Sequence, residues 1–95
     1  MPRRTTINMA GTGAAVQCAD VRCDSVVFET PSTNAAVVTI LETGTAVIVS
    51  VLNPAGDRVE VKGLSGRAGG TQGNLNQFDA NIAQGEVLII RPFLT

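Results

Sequence analysis

The chain has 95 residues and a net charge of −1, from seven Lys/Arg and eight Asp/Glu, with no histidine. That length holds one domain with a small core, because a chain this short removes only about 60–65% of its unfolded surface from water. Without histidine there is no Ser-His-Asp triad, Cys-His pair or His-ligated metal. The near-neutral charge excludes a domain-wide nucleic-acid footprint, and no apolar run reaches the ~20 residues of a bilayer-crossing helix.

Twelve Val, six Ile and ten Thr stand against three Phe and no Trp or Tyr. β-Branched side chains lose rotamer freedom in helices and pack well on pleated sheets, so this is a β composition. Ten Gly and four Pro supply its turns.

Residues 1–14 carry no period and contain Gly11-Thr12-Gly13, so they read as an N-terminal arm. Arg3 and Arg4 open it as a signal peptide would, but the Thr/Asn/Gly-rich stretch that follows is no apolar h-region. Val16-Gln17-Cys18 reads as a short strand and Asp24–Thr30 as a second. Pro31-Ser32-Thr33-Asn34 is a turn, and Ala35–Leu41 a third strand that stops at Glu42-Thr43-Gly44. Thr45–Leu52 is the strongest β-signal, apolar on both faces, which predicts a central strand.

After the turn Asn53-Pro54-Ala55-Gly56, Asp57–Lys62 alternates cleanly. Val59 and Val61 point inward, and Arg58, Glu60 and Lys62 point outward, as on an edge or exposed face. Gly63–Gly73 has five glycines in eleven residues and lacks the Lys-Ser/Thr of a P-loop, so it reads as a loop. Asn74–Asn81 is a weak strand, and Gln84-Gly85 turns into a last one over Glu86–Phe93.

The spacing predicts an all-β domain over residues 15–95. It is a small antiparallel β-sandwich or barrel, jelly-roll-like, with about six or seven strands and a flexible N-terminal arm over 1–14.

Chemistry finds little footing. Cys18 and Cys23 form a lone C-x₄-C pair that cannot close a zinc site, and they read as small reduced hydrophobes at strand ends. The acids Asp20, Asp24, Glu29, Glu42, Asp57, Glu60, Asp79 and Glu86 fall mostly at turns or outward positions, and the serines lack a base. No catalytic residue, metal or cofactor is expected.

The segments Val16–Phe28 and Asn34–Val38, with Asn74–Phe78 ahead of Gly85–Ile90, resemble small β-sandwich virion proteins of tailed bacteriophages. The likeness runs over roughly residues 15–92. Asn53–Val61, which looks like a closing strand in those proteins, falls mid-chain here.

What the resemblance implies is a capsid decoration (cement) protein in the virion, assembled in the host cytoplasm. It would bind the major capsid protein or another virion protein and staple neighbouring subunits as a homo-oligomer, a trimer. A tail, neck or fibre-attachment component is the alternative, and a carbohydrate-binding host-attachment module a more distant one. No nucleic acid or membrane partner is expected.

Two segments are the candidate contacts. In the arm, Ile7 and Met9 share one face of a β-compatible stretch that could add to a partner's sheet edge, while Arg3 and Arg4 meet its carboxylates. In the glycine-rich loop, Leu64 and Arg67 are the candidates.

Overall fold

The computed structural model describes residues 2–67 and 72–94. In chain order the strands are β1 (Ile7–Ala10), β2 (Ala15–Gln17), β3 (Ser25–Glu29), β4 (Val38–Glu42), β5 (Ile48–Leu52), β6 (Arg58–Val61), β7 (Phe78–Asn81) and β8 (Val87–Phe93). One helical turn, α1 (Leu64–Arg67), and a 3₁₀ turn over Leu75–Gln77 lie between β6 and β7.

The strands form two four-stranded sheets, β1-β8-β3-β6 and β2-β7-β4-β5. Pairing is nested: β1 with β8, β2 with β7, β3 with β6 and β4 with β5, all antiparallel. It is as if one long hairpin had been rolled up, and the further ladders β3–β8 and β4–β7 close the roll. This is the strand order of an eight-stranded jelly roll.

The inward faces follow the alternation read from sequence. Val26 and Phe28 of β3, with Leu88 and Ile90 of β8, meet Val38 and Ile40 of β4, Leu52 of β5, and Phe78 and Ala80 of β7 in one buried cluster. The Phe28 and Phe78 rings join the two layers edge to face, with centroids 5.7 Å apart at 87°. On β6, Val61 is buried while Arg58, Glu60 and Lys62 are exposed, and the strand is an edge, as its charges predicted.

Three expectations change. First, there are eight strands rather than six or seven, because residues 7–10, read as arm, form β1 in register with Val87–Ile90. Ile7 and Met9 alternate with exposed Asn8 and pack against the core, and Arg4 N–H extends the contact to the Pro92 carbonyl at 2.9 Å. The first strand thus fills the edge place beside β8.

Second, β5 is an edge strand, not a central one. Its register on β4 slips: Ile40 faces Ser50, but Leu41 faces Ile48, which leaves Val49 as an extra residue. Such a bulge reverses the alternation. Leu52 therefore stays buried and Val49 leans on the core, while Ile48 is turned out to solvent. Third, the glycine-rich loop contains α1; residues 68–71 of that loop lie outside the described residues.

The connections at one end are pinned by side chains. The buried Thr30 hydroxyl donates to the Asn53 carbonyl at 2.9 Å and accepts from Asp57 N–H at 2.9 Å. The Asn34 amide exchanges two hydrogen bonds with the Val87 backbone, at 2.8 and 3.3 Å, much as a strand neighbour would. The Glu86 carboxylate accepts the N–H groups of Ala35 and Ala36.

Candidate interaction surface

Among the described residues, the large exposed apolar side chains are Val16, Val37, Val47, Ile48 and Val51, at 39%, 50%, 55%, 59% and 48% exposure. All belong to, or flank, strands of the β2-β7-β4-β5 sheet; the other sheet has none. Val51 faces Thr39 and Ile48 faces Leu41 across the β4–β5 ladder, and cross-strand partners share a face. Thr39 and Leu41 alternate with buried Val38 and Ile40, so these pairs lie on the outer face of the sheet. Val37 continues that face one step beyond β4.

No charged residue occurs between Thr43 and Gly56, and Asp79, paired with Leu41 in the β4–β7 ladder, brings a carboxylate to the same face. The ends of the patch are fixed. Asp79 holds the β4–β5 turn, accepting from the Thr43 hydroxyl at 2.8 Å and from Gly44 N–H at 3.1 Å, and the Thr30 cluster fixes the far end. A largely apolar, anchored surface at a sheet edge suits a macromolecular contact.

The predicted contact residues fare differently. Ile7 and Met9 are half-buried in the chain's own sheet, so they are not free to fit a partner. Arg3 and Arg4 are exposed and line an open trough of about 480 Å³ with Pro2, Thr5 and Leu94. Leu64 is completely buried, a correction to its reading as a contact residue. Its N–H donates to the Asp24 carbonyl at 3.0 Å, and its carbonyl accepts from Gln77 Nε2 at 3.1 Å, which folds the turn beneath the sandwich.

Arg67 is not an isolated loop cation. Its guanidinium lies over the Phe78 ring, 5.4 Å from the centroid, and pairs with Glu42 at 3.3 Å. These three, with Thr43, Thr45 and Gln77, line a cavity of about 210 Å³. The charges within it cancel. Gln77 Oε1 is buried there with no hydrogen-bond partner among the described residues, while Nε2 of the same amide is held by the Leu64 carbonyl.

Both cysteines are buried free thiols. Burial, and then the Asp79 charge, push Cys18 up to about 12. Burial, then Asp24, push Cys23 up to about 11, with Arg4 pulling the other way. Neither is a nucleophile at neutral pH. Among the described residues no three Cys, Asp or Glu side chains converge on a point that could hold a metal.

Sequence reasoning found the apolar run of β5 and its need for cover, but placed the strand at the centre of a sheet. No protein-family model, no curated protein and no solved structure matches the chain.

Proposed function

We propose that the chain is a non-enzymatic structural protein of a tailed-phage virion, of the capsid-decoration kind, that docks on the outer shell and braces neighbouring capsid subunits. The observation that carries this reading is the exposure of Val37, Ile48 and Val51 on the outer face of one sheet, with exposed Val47 just before β5. A rigid jelly roll with one apolar flank is built to be covered by another protein, and two-layer sandwiches of this order serve in viral shells. The sequence resemblance to small phage virion proteins points the same way.

The mechanism is passive. Apolar area removed from water contributes roughly 25 cal/mol per Å², and one rigid domain touching two shell subunits links them without chemistry. The two thiols are buried and protonated, and Arg67 with Glu42 and Arg91 with Glu29 are paired within the fold.

The test is addition of the purified protein to stripped phage particles, imaged by electron microscopy. Regular density over the shell is the expected result; a single ring at the tail would move the protein to the neck or tail, and no density would sink the reading. Ile48→Asp, at an exposed position, should weaken attachment at least ~10-fold, about 1.4 kcal/mol, with the thermal melt unchanged.

A further inference from the structure

We propose that the cavity between Glu42, Arg67 and Gln77 binds a single neutral sugar ring through adjacent hydroxyls. The proposal rests on the cavity's own groups, so it stands whether or not the chain decorates a shell.

The frame of the cavity is fixed, and its threonine hydroxyls are already used. Thr43 N–H donates to the Gln77 carbonyl at 2.9 Å, and the Thr43 hydroxyl donates to Asp79 at 2.8 Å. The Thr45 hydroxyl donates to the Glu42 carbonyl at 2.8 Å and accepts from Val47 N–H at 3.1 Å. Three lining groups are left to meet a ligand: the Arg67 guanidinium, the Glu42 carboxylate and the Gln77 amide oxygen. Arg67 and Glu42 touch through one contact, Nη2 to Oε1 at 3.3 Å, which leaves further N–H donors on one and a second oxygen on the other. Gln77 Oε1 is buried with no hydrogen-bond partner among the described residues. The amide is held the right way round, because Nε2 donates to the Leu64 carbonyl at 3.1 Å, and turning it over would set oxygen against oxygen. A buried acceptor without a donor carries a cost that a bound donor removes.

The balance of groups selects the ligand. The paired charges sum to zero, so an ionic ligand meets a like charge as near as an opposite one. A neutral ligand must bring donors to two separate acceptors, Glu42 and Gln77, and an acceptor to Arg67. A hydroxyl both gives and takes a hydrogen bond, and neighbouring hydroxyls on a ring do so in diverging directions. A primary amide has both N–H groups on one nitrogen and in one plane. At about 210 Å³ the cavity is smaller than the ~300–1,000 Å³ of drug-sized sites, so it takes one ring and not a chain of them. Phe78 is fully buried beneath Arg67 and offers no face for stacking, so hydrogen bonds alone hold the ring, with millimolar affinity. Arg67 is the movable wall. Its side chain is about a third exposed, and its shift lets a ligand hydroxyl reach Gln77 Oε1.

The test is an NMR titration of the whole isotope-labelled chain with D-glucose, D-galactose, D-mannose and N-acetyl-D-glucosamine, each to ~100 mM. At least one should move the Gln77 side-chain amide, Arg67 Nε–H and the Thr43 and Thr45 N–H signals together, with a dissociation constant of about 1–20 mM. Methyl glycosides run beside the free sugars distinguish the end of a glycan, bound in both forms, from a free sugar, bound only unblocked. Glu42→Gln keeps the size and removes the charge, and should weaken binding at least ~10-fold. Its melt should match the parent, because the ion pair it breaks is partly exposed.

If none of the four sugars moves these signals, or if the shifts survive Glu42→Gln unweakened, the proposal is overturned. It is overturned equally if acetamide, inorganic phosphate or glucuronate moves the same signals at lower concentration than every neutral sugar.

Discussion

At the scale of single residues, two positions carry a cost that substitution can expose. Ala55 sits at φ +66°, in the left-handed region, between Pro54 and Gly56. An L-residue pays roughly 1–2 kcal/mol there, partly offset in a glycine variant by the entropy of a freer unfolded chain. Ala55→Gly is therefore expected to stabilise the protein by about 0.5–1 kcal/mol, read as a higher urea midpoint. Leu64→Ala empties a fully buried site and should cost about 2–5 kcal/mol. Composition placed Leu64 on a loop because five glycines surround it. The hydrogen bonds that tuck it inward come from Asp24 and Gln77, distant in sequence, and no local pattern announces them. The thiols give the pH dependence. Their native values, about 12 for Cys18 and about 11 for Cys23, lie above the ordinary value of 9.0, so the native state holds its protons longer than the unfolded one. The stabilisation is complete below pH 9 and is lost as the pH climbs through 11 to 12. Unfolding by urea between pH 8 and 11 should show stability falling over the upper part of that range, and Cys18→Ala should flatten the fall.

At the scale of elements, alternation was legible wherever a strand has one wet face. β6 is the clearest case: outward Arg58, Glu60 and Lys62 fixed both its inward face and its place at an edge. β5 defeated the same logic because its bulge shifts the period halfway along, and a slip of one residue exchanges core for solvent. Apolar residues on both faces mean either a strand covered twice or an edge waiting for cover, and sequence alone does not separate them. The connections were legible as turns but not as anchors. Pro31-Ser32-Thr33-Asn34 reads as a polar turn, yet Asn34 is buried and serves as a false strand for Val87. Asn34→Ala should unpair two backbone groups of Val87 and lower stability by about 1–3 kcal/mol, with faster amide exchange at the start of β8. Asn34→Asp, which sets a carboxylate oxygen against the Val87 carbonyl and buries a charge, should cost at least as much as Asn34→Ala.

At the scale of the whole molecule, the jelly-roll class was within reach of the sequence and its closure was not. Strand count fell short because β1 is short and dilute: only Ile7 and Met9 face inward, and its partner lies at the other end of the chain. Removing residues 2–10 would strip the ladder from one side of β8 and uncover the core beneath, so a melting temperature lower by at least ~10 °C is expected, measured by circular dichroism. A merely pendant arm would leave the melt unchanged. The nested pairing also orders events while the chain is being made. Elongation proceeds at about 5–20 residues per second, and the innermost hairpin, β4 with β5, can close as soon as its few residues clear the ribosome. Each earlier strand must then wait for a later one: β3 for β6, β2 for β7, β1 for β8. Among these strands the first made is the last to find its partner, so nascent β1 keeps Ile7 and Met9 bare until β8 has emerged.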